Sequence, residues 1–192
     1  MDDIWIGVDE AGVGTLAGPM VVAIVALPKS LRLKGVTDSK KMTDKSREDS
    51  IDLIHNNALY YRVSVADAAQ VDSEGIWNLW NRLVSAVVTD AQMEFDGHEV
   101  LLDGNRVLPG RRLGGIVPIV GGDLSHHCIS AASVLAKYTQ CCAMDDIHKE
   151  FPRYGFNRHR GYGSAQHLNM IKEYGPCPYH RMSYRPLKDL SQ

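Results

Sequence analysis

The chain contains 192 residues, 44% of them apolar, and its 21 Lys and Arg nearly balance its 23 Asp and Glu, which leaves a formal net charge of −2. This length fits one ordinary domain that needs no metal or disulfide staple to fold. The four cysteines show no C-x-x-C pair and no tight framework, which favours a reducing compartment. The longest apolar run is too short to span a bilayer, and the first residues show no basic-then-apolar leader, so we expect a cytoplasmic protein.

The near-neutral total conceals a segregation of charge along the chain. Residues 1–28 carry four acidic and no Lys or Arg side chains, whereas residues 29–48 carry seven basic against three acidic ones and residues 151–188 carry seven against one. The middle, residues 49–150, carries seven against fourteen. An enzyme that attracts a polyanion and also holds cations at carboxylates needs such a distribution, while scattered solvated charge is the alternative interpretation.

The first half of the chain predicts three strands and two helices. Apolar runs at 4–8 and 20–27, separated by a short glycine-rich turn, predict an antiparallel hairpin. A basic loop follows, and then a helix is predicted over 43–56, with a threonine to cap its start. Alternation over 60–65 predicts a third strand, and apolar residues at helical spacing predict a long amphipathic helix over 73–94.

The second half predicts two short strands and two further helices. The strands lie at 99–102 and 116–120, and each runs towards an acidic residue. An alanine-rich helix is predicted over 129–148 and another helix over 164–173. Hairpin strands followed by strand–helix alternation predict an α/β fold, with a mixed sheet flanked by helices.

Acidic side chains follow three of the predicted strands: Asp9 and Glu10 the first, Asp103 the fourth and Asp123 the fifth. The functional crevice of an open α/β sheet lies at strand ends, so these carboxylates can converge. Four carboxylates without a His–Cys set suit Mg²⁺ or Mn²⁺, and two such ions about 4 Å apart would activate water and stabilise the leaving oxygen in phosphodiester cleavage. Acids at such positions also serve as turn formers and helix caps.

Six motifs carry a resemblance to a known family. They are G-V-D-E-A-G-V-G-x-x-A-G-P at 7–19, D-S-K-K-M at 38–42, L-L-D-G-N at 101–105, G-G-D at 121–123, I-S-A-A-S-V-L-A-K at 129–137 and Y-G-F-x-x-H-R-G-Y-G-S at 154–164. In order and spacing they resemble the type 2 ribonuclease H family, bacterial ribonuclease HII in particular, over essentially the whole chain.

The resemblance implies a ribonuclease H-like fold, with a mixed five-stranded sheet in a catalytic domain over 1–150 and a C-terminal helical, substrate-binding extension over 151–192. It implies a metal-dependent endonuclease that cleaves the RNA strand of RNA–DNA hybrids and leaves 3′-hydroxyl and 5′-phosphate ends. Ribonucleotides embedded in duplex DNA are a further expected substrate, which links the protein to DNA replication and repair. We expect a monomer with no membrane partner.

The resemblance also assigns site residues. A two-metal site for Mg²⁺ or Mn²⁺ maps onto Asp9, Glu10, Asp103 and Asp123, the same four carboxylates as above. The implied substrate contacts are Gly12, Val13, Gly14, Ser39, Lys40, Ser130, Ser133, Lys137 and Tyr162. The two serines and the lysine of the alanine-rich helix fall at i, i+3 and i+7, on one helix face. The tyrosine ring is suited to stacking on a sugar or base.

The chain departs from the family in two places. Gly12-Val13-Gly14 stands where the family has Gly-Arg-Gly, so a guanidinium for phosphate is missing, although glycine amides can still read a ribose 2′-hydroxyl. Type 3 ribonucleases H resemble this chain in lacking the arginine, since they have Gly-Thr-Gly there. They cleave poorly at a lone ribonucleotide in duplex DNA. The family's Arg-Asp pair is also absent near Gln140 and Cys141, which leaves metal-site support or helix packing open.

Two alternative hypotheses remain from the sequence. A hybrid-binding protein that has lost activity would explain both departures from the family. A hydrolase that uses Ser133 and Lys137 at i, i+4 would leave the four carboxylates unexplained. His159 and His167 are expected to be surface or packing residues rather than proton-transfer groups.

Overall fold

The computed structural model of the chain describes residues 3–37, 39, 42–106 and 115–190. Its strands are β1 (Ile4–Ala11), β2 (Met20–Pro28), β3 (Tyr60–Ala66), β4 (Val100–Asp103) and β5 (Ile116–Ile119). Its helices are α1 (Asp44–Asn57), α2 (Ala68–Glu74), α3 (Ile76–Glu94), α4 (Gly122–Ser125), α5 (His127–Glu150), α6 (Phe156–His159), α7 (Ala165–Tyr174) and α8 (Leu187–Leu190), with a 3₁₀ turn at Pro152–Tyr154. None of these helices combines the length and apolar composition of a membrane span.

The strands form one mixed sheet in the order β3-β2-β1-β4-β5. β1 and β2 are the predicted antiparallel hairpin, in which Asp9 lies opposite Ala23. β1 pairs in parallel with β4, where Val8 lies opposite Leu102, and β4 pairs in parallel with β5. The predicted five-stranded mixed sheet is therefore confirmed, and its parallel part brings the ends of β1, β4 and β5 to one end of the sheet.

Two apolar cores cover the two faces of the sheet. On one face, alternate residues of β1, among them Ile6 and Val8, pack against Leu79 and its neighbours in α3. On the other face, the buried alanines of α5 pack against β1 and β2. α5 comes so close to β1 that a Cβ at Gly7 would lie 2.3 Å from the backbone of Cys128. The small residues therefore place the first half of α5 directly over the strand that carries the acidic pair.

Several element bounds differ from those predicted. β1 pairs with β2 as far as Ala11, so the acidic pair lies within the strand rather than after it. The single helix predicted over 73–94 is two helices, because Gly75, with φ of 75°, ends α2 and precedes α3. The predicted cap of α1 is confirmed, since the Thr43 side chain accepts a hydrogen bond from the N–H of Ser46.

Residues 151–190 pack against the turn that joins β1 and β2. The N–H of Leu16 donates to the Gly161 carbonyl at 2.8 Å, and the N–H of Gly18 donates to the Tyr179 carbonyl at 2.9 Å. These bonds fix the turn against the C-terminal segment, because buried backbone groups need such partners. The domain boundary at residue 150 stays a prediction.

Candidate active site

The four predicted carboxylates are gathered towards one end of the sheet. Asp9 and Glu10 lie near the end of β1, and Asp103 is the last residue of the adjacent parallel strand β4. Asp123 lies in α4, directly after β5. The Asp103 carboxylate accepts a 2.9 Å hydrogen bond from the N–H of Gly122, which ties β4 to the turn that carries Asp123.

The acidic pair of β1 is divided between the two faces of the sheet, because neighbouring strand residues point in opposite directions. Asp9 lies on the α5 side and hydrogen-bonds Ser133. Glu10 lies on the α3 side and accepts a 3.2 Å hydrogen bond from the indole N–H of Trp80. The sequence did not identify Trp80 as a site residue, since a tryptophan at helical spacing indicates only core packing.

Asp9 is a buried carboxylate, with 6% of its surface exposed. Burial, and then repulsion from Glu10 and Asp103, raises the pKa of Asp9 to about 8, although hydrogen bonds from Ser133 and from the Glu10 N–H act to lower it. In the described part of the chain, no cation is among the groups that shift this pKa. A bound cation would therefore stabilise the ionised form of Asp9.

The oxygen donors of this site fit a hard divalent cation. Within the described residues, no three His, Cys, Asp or Glu side chains converge closely enough to enclose an ion on their own. Mg²⁺ usually takes only one or two carboxylates and fills its other positions with water and substrate phosphate oxygens. Carboxylates spread over neighbouring strands therefore fit an open site, which the cation shares with a phosphodiester, better than a closed structural one.

A pocket of about 180 Å³ opens beside the acidic pair. It is lined by Glu10, Ala11, Gly12, Val13, Gly14, Ser39, Ser133, Lys137 and Tyr162. Seven of the nine residues predicted to contact substrate thus share one pocket. Of the other two, Lys40 lies outside the described residues, and Ser130 is buried in α5, where its hydroxyl donates to the Asp123 carbonyl at 2.6 Å.

The glycine-rich turn forms one wall of this pocket. Gly12 has φ of +83°, and a Cβ there would lie 2.4 Å from a backbone carbonyl oxygen, so the turn requires glycine. The Val13 carbonyl accepts hydrogen bonds from the Arg181 guanidinium at 3.1 Å and the Tyr184 hydroxyl at 2.7 Å. Arg181 is fully buried and also donates twice to the Gly18 carbonyl. The C-terminal segment therefore holds both ends of the turn.

A carboxylate cluster beside a glycine turn agrees with a family comparison. The profile described as Ribonuclease HII matches residues 6–186. The chain belongs to the ribonuclease HII family. It is 40% identical to the ribonuclease HII of Ruminiclostridium cellulolyticum, over 93% of this chain and 68% of that protein. Membership makes the chain a type 2 ribonuclease H, an endonuclease that hydrolyses phosphodiester bonds.

Solved structures confirm the ribonuclease H-like fold. Ribonuclease H2 from Pyrococcus horikoshii OT3 is 21% identical and superposes with a TM-score of 0.78, covering 97% of this chain and 96% of that one. Bst-RNase HIII in complex with Mn²⁺ is 18% identical, with a TM-score of 0.77 over 97% of this chain and 68% of that one.

The opposite wall of the ribonuclease HII pocket is polar. The hydroxyls of Ser39 and Ser133 lie 2.9 Å apart. The Lys137 ammonium lies 5.3 Å from the centre of the Tyr162 ring, and burial lowers the pKa of this lysine. The Tyr162 side chain remains substantially exposed. A positive charge beside an open aromatic ring suits a phosphate next to a sugar or base.

Gln140 and Cys141, near which the resemblance leads us to expect an Arg-Asp pair, are neutral side chains in α5. The buried Gln140 accepts a 2.8 Å hydrogen bond from Lys137 and donates a 2.9 Å bond to the Arg160 carbonyl. The Cys141 sulfur lies 3.9 Å from the Arg47 guanidinium. Gln140 therefore packs the helix here and orients Lys137, which a single helical glutamine does not reveal in a sequence.

Proposed function

We propose that the acidic end of the sheet and the adjoining pocket form one active site, which hydrolyses the RNA strand of RNA–DNA hybrids with Mg²⁺ or Mn²⁺ and leaves 3′-hydroxyl and 5′-phosphate ends. The observation that carries this proposal is the buried Asp9, whose pKa is raised beside Glu10 and Asp103. When ionised, such a carboxylate destabilises the folded protein unless a cation is bound. Groups with strongly shifted pKa values in a cleft are typical of functional sites.

The proposed cation ligands are Asp9, Glu10 and Asp103, with Asp123 completing one of the two sites. When bound, a pair of such ions supplies an activated water and stabilises the leaving oxygen of a phosphodiester. The presence of Mn²⁺ in the related Bst-RNase HIII structure supports this choice of ion.

The protein contributes by orienting these ligands before substrate arrives. Trp80 donates to Glu10, Ser133 hydrogen-bonds Asp9, and the Gly122 N–H donates to Asp103. Ligands fixed in this way need less reorganisation when the substrate and cations bind, and loss of such a partner commonly weakens metal binding.

Recognition of RNA is assigned to the glycine-rich turn. Hydrogen bonds from Arg181 and Tyr184 engage the Val13 carbonyl, and they hold the backbone of the turn in one conformation at the pocket. Backbone groups of the turn would read the ribose 2′-hydroxyl, which is what distinguishes RNA from DNA. Lys137 would contact a phosphate, and the Tyr162 ring would stack on the substrate.

Val13 narrows the substrate range in this proposal. Its side chain is partly buried and packs against the core on the α3 face of the sheet. A valine supplies no charged donor to a phosphate, whereas arginine would supply a forked one. We therefore expect runs of ribonucleotides in a hybrid to be cut well and a single ribonucleotide in duplex DNA to be cut poorly.

Matched duplexes test the proposed function. The full chain is incubated with an RNA–DNA hybrid, a DNA duplex with one ribonucleotide, and an all-DNA duplex of the same sequence, in Mg²⁺, in Mn²⁺ and in EDTA. We expect cleavage of the hybrid only with a divalent ion, with 3′-hydroxyl and 5′-phosphate ends. Unchanged cleavage in EDTA, or equal cleavage of all-DNA duplex, would contradict the proposal.

The two alternative hypotheses are outcomes of the same assay. Tight hybrid binding without turnover in Mn²⁺ would favour an inactive hybrid-binding protein. A Ser–Lys hydrolase would cleave in EDTA, but the Ser133 hydroxyl hydrogen-bonds Ser39 and Asp9, and Lys137 donates to Gln140. The monomeric state, the cytoplasmic location and the link to replication and repair stay predictions.

A further inference from the structure

A chain of hydrogen bonds runs through the C-terminal segment to the pocket. The Cys177 N–H lies 2.9 Å from Nδ1 of His180, Nε2 of His180 lies 3.0 Å from Nε2 of His167, and Nδ1 of His167 lies 2.8 Å from the Tyr162 carbonyl. We call these four residues the histidine relay. Both imidazoles are buried, with at most 2% of their surface exposed.

The chemistry of the two ends sets the direction of every bond in the relay. A backbone N–H can only donate, so Nδ1 of His180 accepts from Cys177 and the proton of His180 sits on Nε2. A carbonyl can only accept, so Nδ1 of His167 carries its proton and Nε2 is free to accept from His180. The Cys177 thiol, 3.1 Å from Nδ1 of His180, can also donate there, and the Cys177 carbonyl is the longer contact at 3.3 Å.

These hydrogen bonds therefore require both imidazoles to be neutral. A second proton on His167 would place its Nε2–H against the Nε2–H of His180. A second proton on His180 would place its Nδ1–H against the Cys177 N–H. The titratable groups around the pair are Tyr154, Cys177 and His159, whose ring stacks on His167 at 4.2 Å. In agreement, burial lowers the pKa of both relay histidines to about 4.

The relay ends on the loop that carries the pocket tyrosine. Arg160 and Gly161 have φ of 51° and 85°, and a Cβ at Gly161 would lie 2.3 Å from the Ala17 carbonyl oxygen. The Gly161 carbonyl accepts from the Leu16 N–H at 2.8 Å. The loop thus packs closely against the glycine-rich turn. A small displacement of the loop would move the Tyr162 ring in the pocket.

We propose that His167 and His180 are positioning residues, which hold the Tyr162 loop against the glycine-rich turn so that the Tyr162 ring meets the nucleic acid. This inference rests on the proposed function, because it assigns a role in substrate binding to Tyr162. It differs from the sequence expectation, in which His167 is only a packing or surface residue.

A double-mutant cycle separates positioning from packing. The dissociation constant for an RNA–DNA hybrid is measured in Ca²⁺ for the wild type, His167→Phe, Tyr162→Ala and the double variant, with His55→Phe as an exposed control. We expect His167→Phe to weaken binding by about fivefold, as the loss of a neutral hydrogen bond does. We expect it to add almost nothing once Tyr162 is removed, and His167→Asn, which keeps a donor near the carbonyl, to restore most of the affinity.

The outcome that overturns positioning is an equal effect of His167→Phe in the presence and absence of Tyr162. If His167→Phe does not fold, the histidine ¹⁵N spectrum of the unmodified chain near pH 7 decides. It should show the Nδ1–H tautomer at His167 and the Nε2–H tautomer at His180, and the opposite tautomers or an imidazolium would overturn the relay. Failure of the proposed function is distinct, because the wild type would then not cleave hybrids in Mg²⁺ or Mn²⁺.

Discussion

The hydroxyl of Tyr184 donates a 2.7 Å hydrogen bond to the carbonyl of Val13, across 171 residues of sequence. Through this bond and the buried Arg181, the last part of the chain holds the turn that we assign to ribose recognition. The conformation of the turn therefore depends on hydrogen bonds from Arg181 and Tyr184.

Tyr184→Phe removes the hydroxyl and keeps the ring. We expect the KM for an RNA–DNA hybrid to rise about threefold to tenfold and the free energy of unfolding to fall by about 1 kcal/mol, because one partly buried hydrogen bond is lost. Steady-state cleavage and urea unfolding measure the two effects. Tyr61→Phe, at an exposed position of β3, is the matched control and should change neither. An unchanged KM in Tyr184→Phe would show that the bond does not serve recognition.

Val13→Arg should broaden the substrate range. We expect cleavage at a single ribonucleotide in duplex DNA to rise at least about tenfold relative to cleavage of a hybrid with four or more ribonucleotides, because a charged hydrogen bond to phosphate becomes available. Val13→Met, which is long but uncharged, separates charge from size. If the ratio for arginine equals that for methionine, Val13 does not set the preference.

Asp9→Asn should stabilise the protein when no divalent cation is present. The pKa of Asp9 is raised from 3.8 to about 8, so the folded state binds this proton more tightly than the unfolded state does. The contribution of the proton to the stability of the wild type is therefore lost as the pH rises from about 4 through 8. Asparagine does not titrate, and its advantage should grow over this range towards an upper bound of roughly 6 kcal/mol. Thermal unfolding in EDTA at several pH values measures it.

The response to Mg²⁺ and a control substitution test whether the effect of Asp9→Asn comes from its charge. At high pH, Mg²⁺ should raise the stability of the wild type by more than it raises the stability of Asp9→Asn. The substitution should also abolish cleavage. Asp96→Asn, at an exposed position after α3, should follow the wild type in every condition. An Asp9→Asn variant no more stable than the wild type above pH 8 in EDTA would show that Asp9 is not a destabilising carboxylate in the absence of cations.

Trp80→Phe removes the indole N–H that donates to Glu10 and retains an aromatic ring in the core. We expect the Mn²⁺ concentration for half-maximal cleavage to rise about tenfold, because loss of a hydrogen-bond partner behind a metal ligand has effects of this order. Calorimetric titration of the protein with Mn²⁺ supplies a readout that does not depend on turnover. Trp5→Phe, at the opposite end of the sheet's central strand, is the control, and an effect of equal size there would point to general loosening of the fold.

Much of the fold follows from local patterns in the sequence. Strand alternation and helical spacing are properties of short windows, and they predicted the hairpin, the two short strands at 99–102 and 116–120 and the helix start at Thr43. The break at Gly75 was missed, because apolar spacing continues across it. Asp9, Asp103 and Asp123 lie towards one end of the sheet, as expected from the strand-end pattern, although Asp9 lies within β1 rather than after it. Their role as metal ligands stays a prediction.

The supporting residues could not be predicted in the same way. Arg181 and Trp80 act on groups 168 and 70 residues away, and their roles exist only after the chain has closed. In the sequence, an arginine near the C-terminus indicates a solvated charge, and a helical tryptophan indicates core. The same holds for Gln140, whose link to Lys137 forms only in the folded helix.

The most direct test of the central claim compares the wild type with Asp103→Asn on one RNA–DNA hybrid in Mg²⁺ and in Mn²⁺. Asp103 accepts from the Gly122 N–H and lies close enough to raise the pKa of Asp9, so an asparagine there should fold normally. We predict that the initial rate of RNA-strand cleavage falls by at least on the order of 10²–10³-fold while hybrid binding and thermal stability are retained. Full metal-dependent cleavage by Asp103→Asn would contradict the assignment of this carboxylate cluster as the active site.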